Sequence, residues 1–495
     1  LMVLGSQLTD LTATEVALKL RAKEVSPLDV LDAAIERIEE VNPKVNALPI
    51  LCLDQARERA IKLSQTVASG DKCGPLFGLP IAVKDYNDLA GVRTTYGSPI
   101  FANHKVDRSD ATVLKLEAAG AIPVGKSNVP EWAGAHTFNP VFGHTLNPWD
   151  ARLSAGGSSG GSAVALATGM VWLATGNDLG GSLRVPASFN SVVGLRPSPG
   201  RIARGRRLPA FDTLWVEGPM GRCVADVALM LDGAVGSSPD DPLSFDHNGA
   251  SFVSALEDTA LPRRVAFSPD LGIVPMEPEV AEICGAAAQR FTEIGVEVCD
   301  AAPDFSGVIE GFQTLRGVLI AVLMETLLKD YREQIAPEIV WNIEKGLAAT
   351  NAEILKAERV RWELYHRMAS FFEHYDLLLC PTVSVPPFPM EQRYVETIAG
   401  QPTETYIDWI AITFAVTMTS CPALSLPAGF SSSGLPIGLQ VIGRPRGEAE
   451  LLRACHRMEE VLGLASKVPM TPRSSTAVDY VEDGVIPTIL GNLDV

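Results

Sequence analysis

Hydroxyl groups and glycines crowd into two short stretches of this chain, Ser154-Ala-Gly-Gly-Ser-Ser-Gly-Gly-Ser162 and Gly176-Asn-Asp-Leu-Gly-Gly-Ser-Leu-Arg184. Both carry too little side chain to build a core. Glycine lets a backbone approach a ligand closely and adopt positive φ, and a serine hydroxyl can act as a nucleophile or a proton carrier. A flexible linker has a similar composition. Linkers, however, do not run straight into an apolar helical segment such as 163–168, nor return as Gly-Gly-Ser at 180–182. Chemistry is the better reading.

Two motif matches compete for the site. Gly120-Ala-Ile-Pro-Val-Gly-Lys126-Ser127 fits the phosphate loop G-x4-G-K-S. Such a loop should follow a strand. Here the strand-like run 121–124 lies inside it, and Pro123 removes one amide donor. Gly157-Ser-Ser159-Gly-Gly161 fits the nucleophile elbow G-x-S-x-G. Residues 150–154 before it do not read as a buried strand, and His247, His366, His374 and His456 occupy no distinctive context.

A third arrangement joins Gly78-Leu-Pro-Ile-Ala-Val-Lys84-Asp85, the GGSSGGS segment and Asp178-Leu-Gly-Gly-Ser182. This combination resembles the amidase signature family, and the resemblance extends through Gly125-Lys-Ser-Asn-Val-Pro-Glu131, Asn147-Pro-Trp-Asp150, Gly194-Leu-Arg-Pro197 and the run from Leu424 to Gln440. It is weakest over 236–375. It implies an α/β fold of three layers (α/β/α), with a central mixed, largely parallel twisted sheet surrounded by helices. It also implies a Ser-cisSer-Lys triad. Ser182 is the nucleophile, Ser158 follows a cis peptide bond and relays the proton, and Lys84 is the base.

Each implied role has a physical requirement. A lysine titrates near about 10.4, so Lys84 can accept a proton at neutral pH only if burial lowers that value, and the apolar run 79–83 is consistent with burial. Consecutive amides at a glycine-rich turn, those of Leu179, Gly180, Gly181 and Ser182, would hold the oxyanion. Asp178 and Arg184 would fix the turn through bidentate hydrogen bonds, with Ser159 as further support. Asn177 departs from the threonine or serine that many members carry, and is expected to sit outside direct contact with the reacting groups. The substrate pocket is expected around Trp132, Ala133, Gly134, Phe138 and Trp215. The arginine-rich loop 201–215 is either a lid over the site or a charged surface loop. The implied activity is hydrolysis of amides, aryl esters or carbamates bearing an apolar or aryl group, without metal or cofactor. Two alternatives stay open: the glutaminase subunit of a tRNA-dependent amidotransferase, and a catalytically silent binding protein.

The elements that must position these residues read as follows. Residues 9–25 show helical spacing, and Ser26-Pro27 supplies a cap and first-turn proline for a helix to about 40. Short apolar runs at 79–83, 121–124, 171–174, 377–379, 423–426 and 437–441 read as strands, and 110–119, 162–168 and 448–462 as helices. Together with the resemblance, this implies one amidase domain over 1–495: a helical segment at 8–70, a signature core at 75–235, a helical insertion at 276–375 and a C-terminal sheet and helix at 376–465. Residues 236–262, rich in Ser, Asp, Pro and Asn, read as a loop or insertion.

With 495 residues, 46% hydrophobic and 20% charged, the chain can build a large core. Its net charge of −18 repels nucleic acid and anionic lipid surfaces. Eight cysteines show no metal-ligand spacing and are expected to be reduced and buried. The opening LMVLGSQLTD lacks a basic, apolar leader pattern, and no run is expected to reach membrane-span length. The expectation is a cytoplasmic monomer or homodimer that binds neither nucleic acid nor membrane.

Overall fold

The computed structural model describes residues 8–69, 73–132 and 134–473. An eleven-stranded sheet runs through it. In chain order its strands are β1 (Ile50–Leu51), β2 (Pro80–Lys84), β3 (Ile122–Ser127), β4 (Leu173–Asp178), β5 (Val193–Arg196), β6 (Val216–Gly221), β7 (Arg264–Phe267), β8 (Glu297–Asp300), β9 (Leu377–Pro381), β10 (Ala423–Phe430) and β11 (Pro436–Ile442). Their spatial order is β1-β3-β2-β4-β6-β5-β10-β11-β9-β7-β8. Parallel pairing is confined to two blocks, β3-β2-β4 and β9-β7-β8. The other neighbouring pairs run antiparallel. The sheet is mixed as expected but less parallel, because short returns such as that between Phe430 and Pro436 permit only antiparallel neighbours.

The two-residue period of the strands sorts side chains into layers. Ile81, Leu173, Leu195, Leu379 and Leu439 point into one continuous core, closed by helices Val224–Ala234, Pro278–Gln289 and Glu448–Leu462. The opposite face carries two cores. Ala82 and Ala174 meet helices Pro27–Val45 and Gly160–Ala167. Ala266, Leu378 and Ile442 meet helices Val308–Tyr331, Asn351–Phe371 and Ala411–Thr417. Burying each such leucine or isoleucine contributes about 1.5–3 kcal/mol. The result is a three-layer α/β/α arrangement.

Helix Pro27–Val45 begins where the sequence places it. Ser26 Oγ accepts the Asp29 amide and the Asp29 carboxylate accepts the Ser26 amide. It runs past the expected end at 40, through Pro43, to a left-handed Asn46. Its predecessor is shorter than expected, Ala13–Arg21. Helix Leu53–Ser69 falls within the helical segment expected at 8–70, whereas strands β1 and β5 to β8 have no counterpart among the expected strands. Residues 236–262 contain one short helix, Phe252–Ala255, held by Asp232, which accepts from Ser251 Oγ and the Phe252 amide.

Two expectations are corrected here. Val308–Gln334 is, among the described residues, a helical stretch long and apolar enough to cross a membrane, and the greater part of its most apolar window is buried in protein. It is apolar around most of its circumference because it packs against Pro337–Ala348, Asn351–Phe371 and Ala411–Thr417 at once. The eight cysteines are free, but Cys52, Cys73 and Cys299 are only partly buried.

Candidate active site

β2 is buried along its whole length and ends on Lys84, whose side chain is fully enclosed. The Lys84 amide donates to Thr175 Oγ1 on neighbouring β4 (2.8 Å), which fixes the strand end. Its Nζ lies 2.7 Å from Ser158 Oγ and 2.6 Å from Asn177 Oδ1, and 4.7 Å from the centre of the Tyr86 ring. Burial drives the amine down from its ordinary 10.5 to about 7, against the opposing charges of Glu217 and Asp178. A substantial neutral fraction therefore exists at physiological pH.

Ser158 is delivered by the glycine-rich stretch. Strand Asp150–Ser154 precedes it, but this strand is only partly buried and pairs with Leu146–Asn147 outside the main sheet, so it is not the buried strand that a nucleophile elbow requires. The Gly157–Ser158 peptide bond is cis. Helix Gly160–Ala167 follows at once, and a Cβ on Gly160 would lie 2.2 Å from Thr137 Oγ1, so glycine is required for the approach. Ser159 precedes this helix. Its amide donates to the Ser182 carbonyl at 3.3 Å, joining the two serine segments through their backbones.

Ser182 sits in the turn between β4 and helix Arg184–Asn190. Asp178 holds the turn from beneath: its carboxylate accepts from Arg184 Nε (3.0 Å) and Nη2 (2.8 Å), from Arg196 Nη1 (3.2 Å) and from the Leu183 amide (3.2 Å). Burial raises the carboxyl, but Arg184 and Arg196 outweigh it and bring it down to about 2. One expected oxyanion donor is otherwise engaged, because the Gly181 amide donates to Asp178 Oδ1 at 3.0 Å. Gly181 has φ 129°, and a Cβ there would lie 2.4 Å from Thr413 Oγ1.

Ser158, Ser182, Leu179 and Gly180 line one small cavity of about 40 Å³, together with Trp132, Gly134 and Trp215 from the expected pocket. Phe138 is not among them. Its strand pairs with Gly143–His144, which stacks the ring 5.1 Å from His144, and it lines an adjoining cleft of about 380 Å³ that shares Gly134 and Ala135 with the first. Ala133 lies outside the described residues. Sequence reasoning missed Tyr86, Phe312 and Arg316 on the cavity wall, and placed Asn177 too far from the amine. The alternation of β4 carried the missing signal, since Thr175 and Asn177 share one face while Asp178 points to the other. Loop 201–215 is pinned: Arg201 pairs with Glu448 (2.8 Å), Arg204 with Asp212 (3.4 Å) and Arg207 with Asp110 (2.6 Å).

The competing motif resolves structurally. Residues 122–127 of the phosphate-loop match form β3, with Lys126 buried against Asp85 at 3.0 Å. Among the described residues no three His, Cys, Asp or Glu side chains gather as a metal set would require.

Residues 29–452 match the family model described as Amidase. The chain is 34% identical to an acylamidase of Rhodococcus erythropolis over 466 residues, covering 93% of this chain and 97% of that protein. It is 36% identical to a glutamyl-tRNA(Gln) amidotransferase subunit of Moorella thermoacetica over 481 residues, covering 91% of this chain and 96% of that protein. The crystal structure of a bacterial aryl acylamidase of the amidase signature family superposes with a TM-score of 0.86 at 27% identity, covering 93% of this chain and 99% of that one.

Proposed function

This chain belongs to the amidase family and is an amide-hydrolysing enzyme, and on that premise we propose that it works alone as a serine hydrolase through an acyl-enzyme on Ser182. The observation that carries this is a fully buried Lys84 amine 2.7 Å from Ser158 Oγ, on a cavity that Ser182 also lines. Ser182 attacks the carbonyl, and its proton passes through Ser158 to neutral Lys84. Because Lys84 donates to Asn177 Oδ1, the nitrogen lone pair is left for the Ser158 hydroxyl. The amides of Leu179, Gly180 and Ser182 receive the oxyanion, each such donor being worth about 3 kcal/mol. Lys84 then returns the proton to the leaving amine, and water repeats the sequence to release the acid.

The aromatic wall of Trp132 and Trp215 and the adjoining cleft support substrates with an apolar or aryl group, and aryl esters and carbamates fit the same steps. One sheet drawing strands from Ile50 to Ile442 supports a single catalytic domain, and the free cysteines support a reducing compartment such as the cytoplasm. A fluorophosphonate probe should label Ser182, and Ser182→Ala should lose both labelling and turnover of anilides. Full activity in that variant, or no labelling of the parent protein, would sink the reading and favour a silent binding protein. The 36% relative favours a second reading, the glutaminase component of an amidotransferase. That reading requires ammonia release from glutamine and co-purification with a larger partner.

A further inference from the structure

Behind the catalytic lysine lies a buried carboxylate that the steps above leave without a task. Glu217 is 1% exposed and stands on β6 directly across from Asn177 of β4, the residue whose Oδ1 holds Lys84 Nζ. A continuous hydrogen-bond path joins Glu217 to the backbone amide of Lys84. Asn87 Nδ2 donates to Glu217 Oε2 (2.9 Å), Thr175 Oγ1 donates to Asn87 Oδ1 (2.9 Å), and Thr175 Oγ1 accepts from the Lys84 amide (2.8 Å). A carboxylate is costly to bury unless it answers a charge.

We propose that Glu217 is a positioning residue for the base, a buried counter-charge that stabilises the Lys84 ammonium formed when the amine takes up the proton of Ser182. The proposal rests on the Ser182–Ser158–Lys84 reading. The proton balance is simple: the Ser182 oxygen bonds to the carbonyl carbon, its proton moves through Ser158 to Lys84, and the same proton later leaves on the amine when the C–N bond breaks. Between these events a full positive charge sits on a fully buried side chain, and Glu217 and Asp178 are the anions acting on it. Asp178 is already shared by Arg184 and Arg196. Glu217 also faces Arg207, which is itself paired with Asp110. Tyr86 completes the surroundings of the amine with its ring. Burial raises the Glu217 carboxyl while Arg207, Asn87 and Lys84 favour its charged form, so its ionisation and that of the lysine are linked.

The test is the pH dependence of fluorophosphonate labelling at Ser182, which reports activation of the nucleophile without turnover. In Glu217→Gln the acid limb should move to lower pH by about one unit and the plateau rate should fall by up to about tenfold, because the amine has become a weaker base. Glu217→Asp, which keeps the charge, should recover much of both. A plateau that falls with an unmoved limb, at unchanged thermal stability or not, would make Glu217 merely structural and overturn the inference. Absence of labelling in the parent protein at every pH would instead overturn the underlying triad reading, so the two failures are distinct.

Discussion

The amine of Lys84 lies 2.6 Å from the side-chain oxygen of Asn177, on the face of β4 opposite Asp178. The contact engages one amine proton and orients the nitrogen toward Ser158, so a neutral amide does the orienting where a carboxylate would instead trap the charge.

Replacing that amide by a carboxylate should therefore slow the enzyme without disturbing its shape. In Asn177→Asp the added negative charge favours the ammonium, so the acid limb of kcat/KM should move up by roughly one to three pH units. Turnover at pH 7 should drop accordingly, and recover at pH 9 to 10. Steady-state kinetics across pH on one anilide checks this.

The parent enzyme should gain activity through neutral pH. Lys84 is held at about 7 by burial, so it is mostly charged and inactive at pH 5 and mostly neutral at pH 8.5. An acid limb with a midpoint near 7 is expected, and Lys84→Ala should lose about 10²- to 10⁴-fold in kcat. A profile flat from pH 5 to 9 would contradict a lysine base.

Asp178 should matter to stability as well as to rate. Asp178→Asn leaves Arg184 and Arg196 buried together without their shared anion, which should destabilise the fold by about 3–5 kcal/mol. Denaturant unfolding followed by tryptophan fluorescence gives the difference.

Gly181→Ala isolates the turn. Its φ of 129° and the 2.4 Å approach to Thr413 Oγ1 force the backbone to shift, at about 1–3 kcal/mol. A fall in kcat of about 10- to 100-fold is expected, with KM changed less. A wild-type kcat would mean that the turn tolerates movement.

The site is legible in the sequence where its chemistry is local. Lys84, Ser158 and Ser182 each sit in a short stretch whose glycines and flanking residues announce the backbone they need, and Asp178 and Arg184 lie within one turn of Ser182. The helix starts at Ser26 and Glu448 are equally local. What escapes is set by pairing between distant segments. Glu217 reaches the lysine only because β6 lies against β4, and nothing in the run Val216–Gly221 tells which strand will be its neighbour. Phe138 is turned from the cavity that Ser182 lines by a hairpin to His144 too short to read. β5 and β6 are broken by glycine and proline, so their strands hide from any test of apolar alternation.

Helix Arg184–Asn190 lies between two separately packed interiors, with Leu183 and Ala187 committed to one and Val185 and Phe189 to the other. The serine at its head is thus registered against both halves of the same layer, like a rivet through two plates. Any slippage of one plate along the other should disarm the enzyme before either plate comes apart. Heating should accordingly extinguish catalysis a few degrees below the loss of helical circular dichroism.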